Sequence, residues 1–346
     1  MTRPDLTVMG GGIFGLSIAW EAALRGARVR LIEAKRIGAG SSGGVVGALA
    51  PHVPENWNDK KAFQLESLLM SGAFWDGVAQ VSGLPTGYAR LGRLQPLDSA
   101  EAVARAQDRA TDAQTLWQGR ARWQVMPATG ADWEPATPTG LLIQDTLTAR
   151  LHPRMAASAL VAAIRAKGGE VILGEAEAKG PVIWATGHAG LLALNDDLGR
   201  RVGAGVKGQA LLLAHDACDL PQMQVDGLHI VPHADGTVAI GSTSENQWDD
   251  PVSVDAQCDD LLIRARAAVP VLRGAEMLER WAGIRPRARS RAPMLGAWPG
   301  RGGEFVANGG FKIGFGMAPK VAQVMVDLVL DGVDRVPDGF RVEASL

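Results

Sequence analysis

The chain of 346 residues has only two cysteines, one tyrosine and almost no net charge. Because Cys218 and Cys258 lie far apart, the sequence lacks both a disulfide framework and a Cys-x-x-Cys metal or redox pair, which favours a reducing cytoplasm. The 35 Lys and Arg residues against 37 Asp and Glu residues leave a formal charge of −2, so the basic character of nucleic-acid-binding proteins is absent. The six histidines show no ligand spacing, and we therefore expect no metal site.

Long hydrophobic runs are also missing. A membrane-spanning helix needs about 18 or more consecutive apolar residues, and the most apolar early stretch, residues 6–24, is interrupted by four glycines, a serine and a glutamate. Residues 1–5 lack the apolar segment and cleavage site of a signal peptide. We therefore expect a cytoplasmic protein without a membrane span.

The composition that remains is that of a globular protein, with 47% hydrophobic and 21% charged residues and 43 glycines. Its length predicts two domains or one two-lobed unit. Helices are predicted at residues 13–24, 61–81, 100–117, 155–167 and 319–330, and strands at 6–9, 28–33, 91–97, 181–185, 209–213, 229–232, 237–240 and 277–284. Residues 119–138 show no period and are placed in a second domain.

A glycine-rich turn joins the first predicted strand to the first helix. Residues 10–15 read Gly-Gly-Gly-Ile-Phe-Gly and match the Gly-x-Gly-x-x-Gly pattern of a dinucleotide site in the required strand–turn–helix context. Its glycines allow a tight turn, a close approach to a pyrophosphate and close packing of helix on strand. Glu33 ends the second predicted strand, where a carboxylate accepts from a ribose hydroxyl and repels a 2′-phosphate.

The glycine-rich turn alone leaves the choice between a nicotinamide and a flavin dinucleotide open. A second feature, the ribbon of small residues over 37–51, favours flavin, because nicotinamide folds rarely need such a segment beside the pyrophosphate. Together with residues 182–187 (Val-Ile-Trp-Ala-Thr-Gly), 281–286 (Trp-Ala-Gly-Ile-Arg-Pro) and 310–319, this ribbon resembles the glycine oxidase/D-amino-acid oxidase family of FAD-dependent amine oxidases. The resemblance covers nearly the whole chain.

The resemblance implies an α/β fold in which two domains are interleaved along the chain. A Rossmann-like FAD-binding domain would comprise residues 1–82, 146–202 and 292–346. An α+β substrate domain, built on a mostly antiparallel sheet, would comprise residues 83–145 and 203–291.

The resemblance also implies a set of FAD contacts by motif position. They are Gly10, Gly12, Ile13, Phe14 and Gly15 at the pyrophosphate; Glu33 and Ala34 at the adenosine ribose; Ser41 and Ser42 at the phosphates; Val46, Gly47 and Ala48 at the flavin; Val171 at the adenine; Thr186 and Gly187 in a turn over the cofactor; and Gly310, Phe311, Ile313, Gly314, Phe315 and Gly316 at the pyrimidine side of the ring. No metal is implied.

For the substrate, the resemblance implies that Arg285 clamps a carboxylate, which a planar guanidinium does with two parallel hydrogen bonds. Lys312 stands where relatives often have a second arginine, and His229 where they often present a tyrosine, so both are candidate substrate contacts. The segment between Val171 and Pro181 is shorter than is usual in the family. The other arginines near Arg285 are interpreted as mostly solvated, with the alternative that one of them reaches the site and favours a second acidic group.

The activity that the resemblance implies is oxidation of a small amino acid or secondary amine that bears a carboxylate. Hydride would pass from the substrate Cα to flavin N5, with no obligatory acid or base from the protein. A nicotinamide-linked dehydrogenase and a non-catalytic flavin-binding subunit stay open as alternatives. Beyond the substrate no partner is indicated, and the oligomeric state stays open.

Overall fold

Two large β-sheets organise the chain, which a computed structural model describes from residue 3 to residue 346. The helices are α1 (Ile13–Leu24), α2 (Asp59–Ser82), α3 (Ala100–Leu116), α4 (Pro153–Ala166), α5 (Gly187–Asp197), α6 (Ala256–Ala268) and α7 (Gly314–Leu330). The strands are β1 (Leu6–Met9), β2 (Val29–Glu33), β3 (Ala48–Leu49), β4 (Arg93–Pro96), β5 (Trp123–Pro127), β6 (Leu141–Asp145), β7 (Ala149–Arg150), β8 (Glu170–Leu173), β9 (Val182–Trp184), β10 (Gly203–Ala214), β11 (Gln222–Val225), β12 (Leu228–Pro232), β13 (Thr237–Gly241), β14 (Glu276–Ala288), β15 (Met294–Ala297) and β16 (Glu304–Asn308).

The first sheet has the strand order β15-β16-β9-β1-β2-β8. Its strands run parallel except at the β15–β16 edge. Helix α1 connects β1 to β2 and is apolar on nearly all sides, which suits a helix that packs against the sheet, α4 and α7 at once. This arrangement confirms the predicted strand–helix–strand unit and its parallel sheet.

The second sheet has the strand order β14-β10-β13-β12-β11-β4-β6-β5 and is antiparallel except between β4 and β11. Its longest pairing joins β10 to β14, from Gly203 opposite Ala288 to Ala214 opposite Glu276. Helix α6 packs on this sheet through Cys258, Leu261 and Ala265, which are buried. The predicted α/β fold class with a mostly antiparallel second sheet is therefore confirmed.

The strands segregate along the chain. Every strand of the first sheet lies within residues 1–82, 146–202 or 292–346, and every strand of the second lies within 83–145 or 203–291. This segregation supports the domain division that the resemblance implies, which we retain as a proposal. Among residues 3–346 no helix is both long and apolar enough to cross a membrane.

The last helix differs from its prediction. It begins at Gly314, not at residue 319, and therefore contains Pro319 within its second turn. Proline has no N–H for the helical hydrogen bond, and this usually breaks a helix. Here the following N–H, that of Lys320, donates to the Ser67 hydroxyl of α2 at 3.2 Å, so a neighbouring helix supports the interrupted turn. The predicted start of the helix at residue 319 was wrong, because the sequence around Pro319 gives no indication of the contact with Ser67.

Candidate cofactor and substrate site

The glycine-rich turn between β1 and α1 is packed too closely for side chains. Gly10 has φ +110°, and a Cβ there would lie 2.5 Å from the carbonyl oxygen of Ala185. A Cβ at Gly15 would lie 1.9 Å from the carbonyl oxygen of Gly10. The N-cap residue of α1, Gly12, makes no side-chain cap, so it blocks none of the helix N–H groups from an anion.

We expect the substitution Gly15→Ala to release the dinucleotide. The atom that the added methyl group would strike belongs to the backbone and not to a flexible side chain. The methyl group must therefore displace either the glycine-rich turn or the start of α1. The flavin-to-protein ratio of the purified variant, measured by absorbance, should fall several-fold. Gly72→Ala is a suitable control, since a Cβ at Gly72 within α2 meets no heavy atom within 4 Å. Full flavin content in Gly15→Ala would contradict this account of the turn.

Glu33 and Ser42 both hydrogen-bond to this turn. The Gly11 N–H donates to the Glu33 carboxylate at 2.7 Å, and the Lys35 N–H donates to its other oxygen at 2.8 Å. The Ile13 N–H donates to the Ser42 hydroxyl at 3.0 Å. The structure thus brings the predicted ribose residue and one predicted phosphate residue to the glycine-rich turn. Ala34 follows Glu33 directly, and Ser41 begins a short 3₁₀ turn.

The small-residue ribbon lies between the two sheets. A Cβ at Gly47 would lie 1.7 Å from the Leu151 carbonyl oxygen, and the Leu151 N–H donates to the Gly47 carbonyl at 3.0 Å. Val46 lies against Gly241 of β13. Val46 and Ala48 also pack on a buried apolar cluster of the second sheet. The predicted flavin residues are therefore held at the boundary between the predicted domains.

The C-terminal glycine-rich segment meets the start of α1. A Cβ at Gly310 would lie 2.9 Å from the Phe14 ring, and one at Gly314 would lie 3.5 Å from the Ile13 side chain. Helix α7 begins next to this contact and has no side-chain cap at its N-cap residue, Ile313. Phe315 packs on the main core, and Gly316 lies beside Leu49 of β3.

Two other predicted cofactor segments lie further along the first sheet. Val171 is on β8, two strands from β1, where it pairs with Leu31 of β2. Thr186 and Gly187 follow β9, and the Gly187 carbonyl accepts from the Asn308 amide at 2.8 Å. Both segments belong to the sheet that carries the glycine-rich turn, but Val171 is remote from the turn itself. Their contacts with a cofactor stay predictions.

Arg285, on β14, is buried with 8% exposure and is fixed by oxygens of neighbouring strands. Its Nη1 donates to the Ser242 hydroxyl at 2.6 Å, and its Nη2 donates to the main-chain carbonyls of Lys207 and Thr243. Its Nε has no hydrogen-bond partner within residues 3–346. Burial lowers the pKa of Arg285 to about 10, against the influence of Glu245, so the guanidinium is protonated at neutral pH.

Gly208 makes room for this guanidinium. A Cβ at Gly208 would lie 1.9 Å from Nη2 of Arg285. Gly208 pairs with Gly283 across β10 and β14, so the arginine lies over a strip of bare backbone. Sequence reasoning missed Gly208, Ser242 and Thr243. Ser242 and Thr243 could have been proposed as site residues, since small polar residues directly follow the buried strand β13. No feature of the sequence connects Gly208 to Arg285.

Lys312 and His229 lie in the region of Arg285. Partial desolvation and the charge of Arg285 lower the pKa of Lys312, although its side chain remains exposed. Burial, followed by the charges of Arg93 and Lys312, lowers the pKa of His229 to about 4, so its imidazole is neutral at pH 7. Its Nδ1 is buried and has no partner in the described chain. The three predicted substrate residues are thus brought together as two cations and a neutral imidazole.

Phe311 is placed among the cations. The guanidinium carbon of Arg285 lies 5.7 Å from its ring centre, that of Arg287 lies 5.6 Å away, and the Lys312 ammonium lies 5.8 Å away. The backbone holds the ring there, because the Phe311 N–H donates to the Pro286 carbonyl at 3.0 Å and the residue adopts φ +44°. Sequence analysis assigned Phe311 to the cofactor, and this assignment stays a prediction.

A second buried histidine supports the ribbon from the substrate sheet. His233 is fully buried and donates from Nε2 to the Val45 carbonyl at 2.9 Å, while its Nδ1 has no partner within residues 3–346. Burial, together with the neighbouring His152, lowers the pKa of His233 to about 4. The folded protein therefore holds this imidazole in its neutral form at neutral pH.

Acid should weaken the fold through His233. Because the folded pKa lies below the unfolded value of 6.5, its contribution is present above that value and is lost as the pH falls toward 4. At pH 4.5 the loss amounts to about 2 kcal/mol of unfolding free energy. Urea unfolding at pH 7 and pH 4.5 measures it, and the variant His233→Gln should lose about 2 kcal/mol less than the wild type between these pH values. An equal loss in both proteins would contradict the neutral buried imidazole.

The residues of the first sheet fit FAD. Glu33 presents a carboxylate for a ribose hydroxyl, and the N-termini of α1 and α7, whose N-cap residues make no side-chain cap, would present N–H donors to the pyrophosphate and the flavin ring. A Cβ at Gly40 would meet no heavy atom within 4 Å, so open space adjoins the small-residue ribbon. A turn that only glycine can occupy and an acidic residue at the end of β2 indicate a dinucleotide-binding protein, and the buried arginine of the second sheet indicates an anionic ligand beside it.

Comparison with known proteins specifies that class. The family model "FAD dependent oxidoreductase" matches residues 5–328, and the chain therefore belongs to the family of FAD-dependent oxidoreductases. The chain is 27% identical to glycine oxidase of Geobacillus kaustophilus (strain HTA426), over 94% of this chain and 93% of that protein. FAD is thus its cofactor, and the nicotinamide alternative does not hold.

Solved structures show the same fold. The crystal structure of glycine oxidase from Geobacillus kaustophilus superposes with a TM-score of 0.83 at 23% identity and covers 99% of both chains. Iminodiacetate oxidase from Chelativorans sp. BNC1 superposes with a TM-score of 0.81 at 21% identity, over 97% of this chain and 98% of that one. These similarities confirm the predicted two-sheet fold.

Proposed function

We propose that this FAD-dependent oxidoreductase oxidises a small amino acid or secondary amine that carries a carboxylate. Hydride leaves the substrate Cα, the substrate becomes an imine, and water hydrolyses the imine to a carbonyl acid and a free amine. When bound, FAD supplies the hydride acceptor and passes the electrons to oxygen or another acceptor. The similarity to glycine oxidase over nearly the whole chain supports this choice.

The observation that carries the proposal is the state of Arg285. A buried guanidinium normally pairs with a carboxylate, because an unpaired buried charge is costly. Within residues 3–346 no carboxylate lies within ion-pair distance of Arg285, and its Nε lacks an acceptor. Glu245, the acid whose charge raises the pKa of Arg285, lies 3.6 Å from the ammonium of the buried Lys207. A substrate carboxylate would supply the missing counter-charge.

The residues around Arg285 determine what the chain contributes to the reaction. Ser242 and two carbonyls fix the guanidinium before substrate arrives, which reduces the entropy lost on binding. His229 is neutral at pH 7 and adds no charge, whereas Lys312 adds a second cation. No residue is needed as a general base if the substrate binds with a neutral amine, and the protein's part is to orient the Cα–H bond and exclude water.

Matched pairs of amines with and without a carboxylate test this proposal. Glycine is compared with methylamine, sarcosine with dimethylamine, and D-alanine with ethylamine, using the purified FAD-loaded protein. Oxygen uptake, dye reduction and carbonyl-acid formation are measured, so that both oxygen and an artificial acceptor are covered. We expect turnover of at least one acid and no detectable turnover of its decarboxylated partner. Equal turnover within each pair, or no turnover of any acid, would refute the assignment.

We also infer a reducing, cytoplasmic location from the cysteines. Both Cys218 and Cys258 are free thiols, and burial raises the pKa of Cys258, which keeps it in the unreactive protonated form. Thiol titration of freshly purified protein under denaturing, non-reducing conditions should find two free thiols per chain.

A further inference from the structure

Arg287 lies beside the substrate residues but has no role in the proposed function. It is two residues beyond Arg285 on β14, so both side chains project from the same face of the strand, with their Cα atoms about 7 Å apart. The Phe311 ring lies close to both guanidinium groups, at 5.7 Å and 5.6 Å. Arg287 donates to the Asn246 side chain at 3.1 Å, which holds it in place.

The charge around Phe311 is unbalanced. Arg285, Arg287 and Lys312 all approach the ring, and within residues 3–346 none of the three has a carboxylate within 4 Å. Glu245, which influences Arg285, already faces the Lys207 ammonium. A substrate with one carboxylate would neutralise one of three positive charges. A second acidic group would reduce the remaining repulsion.

Arg287 also lines a cleft of its own. The cleft has a volume of about 560 Å³ and is lined by five arginines, namely Arg200, Arg201, Arg287, Arg289 and Arg291. The Leu346 main-chain oxygen accepts hydrogen bonds from Arg200 and Arg289, so two of these side chains already hold an oxygen acceptor. Arg287 is therefore the residue that the cation group at Phe311 and the arginine-lined cleft share.

We propose that the substrate is an amine with two acidic groups, of which Arg285 binds the first and Arg287, at the edge of the arginine-lined cleft, binds the second. This inference rests on the proposed function and specifies its substrate class. Arg287 is then a specificity-determining residue: it contributes to binding of the diacid and is unused when the substrate has a single carboxylate. A charge-assisted contact of this kind changes affinity about 10- to 100-fold.

Pairs of substrates that differ by one carboxylate test the proposal. Iminodiacetate is sarcosine with a carboxylate on its methyl group, and in the same way D-aspartate extends D-alanine and D-glutamate extends D-2-aminobutyrate. For the FAD-loaded wild type, we expect kcat/KM for at least one diacid to exceed that of its monoacid partner by about tenfold or more. Arg287→Met should lower kcat/KM for that diacid about 10- to 100-fold and change the monoacid less than about threefold.

Arg280→Met is the matched control, because Arg280 lies on the same strand but pairs with Asp259 and takes no part in the cation group at Phe311. It should leave the diacid preference unchanged. The proposal would be overturned by a wild type that prefers every monoacid, or by an Arg287→Met variant that loses activity equally on both members of a pair.

A binding measurement separates this proposal from the proposed function. Glutarate and butyrate, which cannot be oxidised as amines, are titrated against the flavin absorbance of the same proteins. We expect glutarate to bind about tenfold more tightly than butyrate in the wild type and with similar affinity in Arg287→Met. If no amine is turned over but glutarate binds in this way, the proposed function fails and the diacid site stands. Equal binding of glutarate and butyrate by the wild type refutes the diacid site even if monoacids are oxidised.

Discussion

Arg285→Leu should lower kcat/KM for carboxylated amines about 100- to 4000-fold while leaving the FAD content unchanged. The reason is that the substrate carboxylate loses its buried partner, and breaking a buried ion pair costs about 3–5 kcal/mol, where about 1.4 kcal/mol corresponds to a factor of ten. FAD content should survive because Arg285 hydrogen-bonds only to oxygens of β10 and of the two residues that follow β13, and to none of the predicted cofactor residues. Steady-state kinetics and the flavin-to-protein ratio measure the two effects.

Two further variants define the role of this arginine. Arg285→Lys keeps the charge but loses the planar fork, so its kcat/KM should fall between those of the wild type and Arg285→Leu. Arg280→Leu, on the same strand, should behave as the wild type, since Arg280 pairs with Asp259. An Arg285→Leu variant with unchanged kinetics would show that the carboxylate binds elsewhere.

Gly208→Ala should imitate the loss of Arg285 without altering any charged residue. The new methyl group would lie 1.9 Å from Nη2, so the guanidinium must leave its position between Ser242 and the main-chain carbonyls. We expect kcat/KM for a carboxylated amine to fall about 10- to 100-fold, mainly through KM, because misplacing a binding group by about 1 Å already has a cost of this order. The FAD content should again be unchanged.

The double variant Gly208→Ala/Arg285→Leu distinguishes displacement of the arginine from general damage. If the methyl group acts only through Arg285, the double variant should be no less active than Arg285→Leu alone, since coupled residues have non-additive effects. Gly274→Ala is the control, as a Cβ there meets no heavy atom within 4 Å. Fully additive losses would mean that Gly208 acts independently of the arginine.

The parts of the fold that local chemistry determines could be predicted from the sequence. The β1–α1–β2 unit follows from an apolar strand, a turn of glycines and a helix that ends near Gly26, and all of these signals lie within thirty residues. By contrast, β5 ends in Pro127 at the edge of the second sheet and alternates only weakly, so residues 119–138 carried no strand signal. Helix α6 was not predicted because only three of its residues are buried, which leaves a weak helical pattern of apolar residues.

The candidate site divides in the same way. The glycine-rich turn and Glu33 were recognisable because a dinucleotide constrains adjacent residues. The surroundings of Arg285 were not, because Gly208, Ser242 and Thr243 reach it across the strands of the second sheet, from more than forty residues away in the chain. The resemblance supplied Arg285 itself. Only the assembled sheet shows that its charge is buried without a partner and that Arg287 stands next to it.

The most direct test of the account is the visible spectrum of the purified protein, recorded without oxygen before and after addition of carboxylated amines. The panel contains glycine, sarcosine, D-alanine, D-aspartate and iminodiacetate. We expect oxidised-flavin bands that bleach with at least one of these amines in the wild type and do not bleach in Arg285→Leu at the same amine concentration. Flavin bands that persist with every amine in the wild type would contradict the proposed amine oxidation. A protein that shows no flavin bands after incubation with FAD and removal of the excess would contradict the cofactor as well.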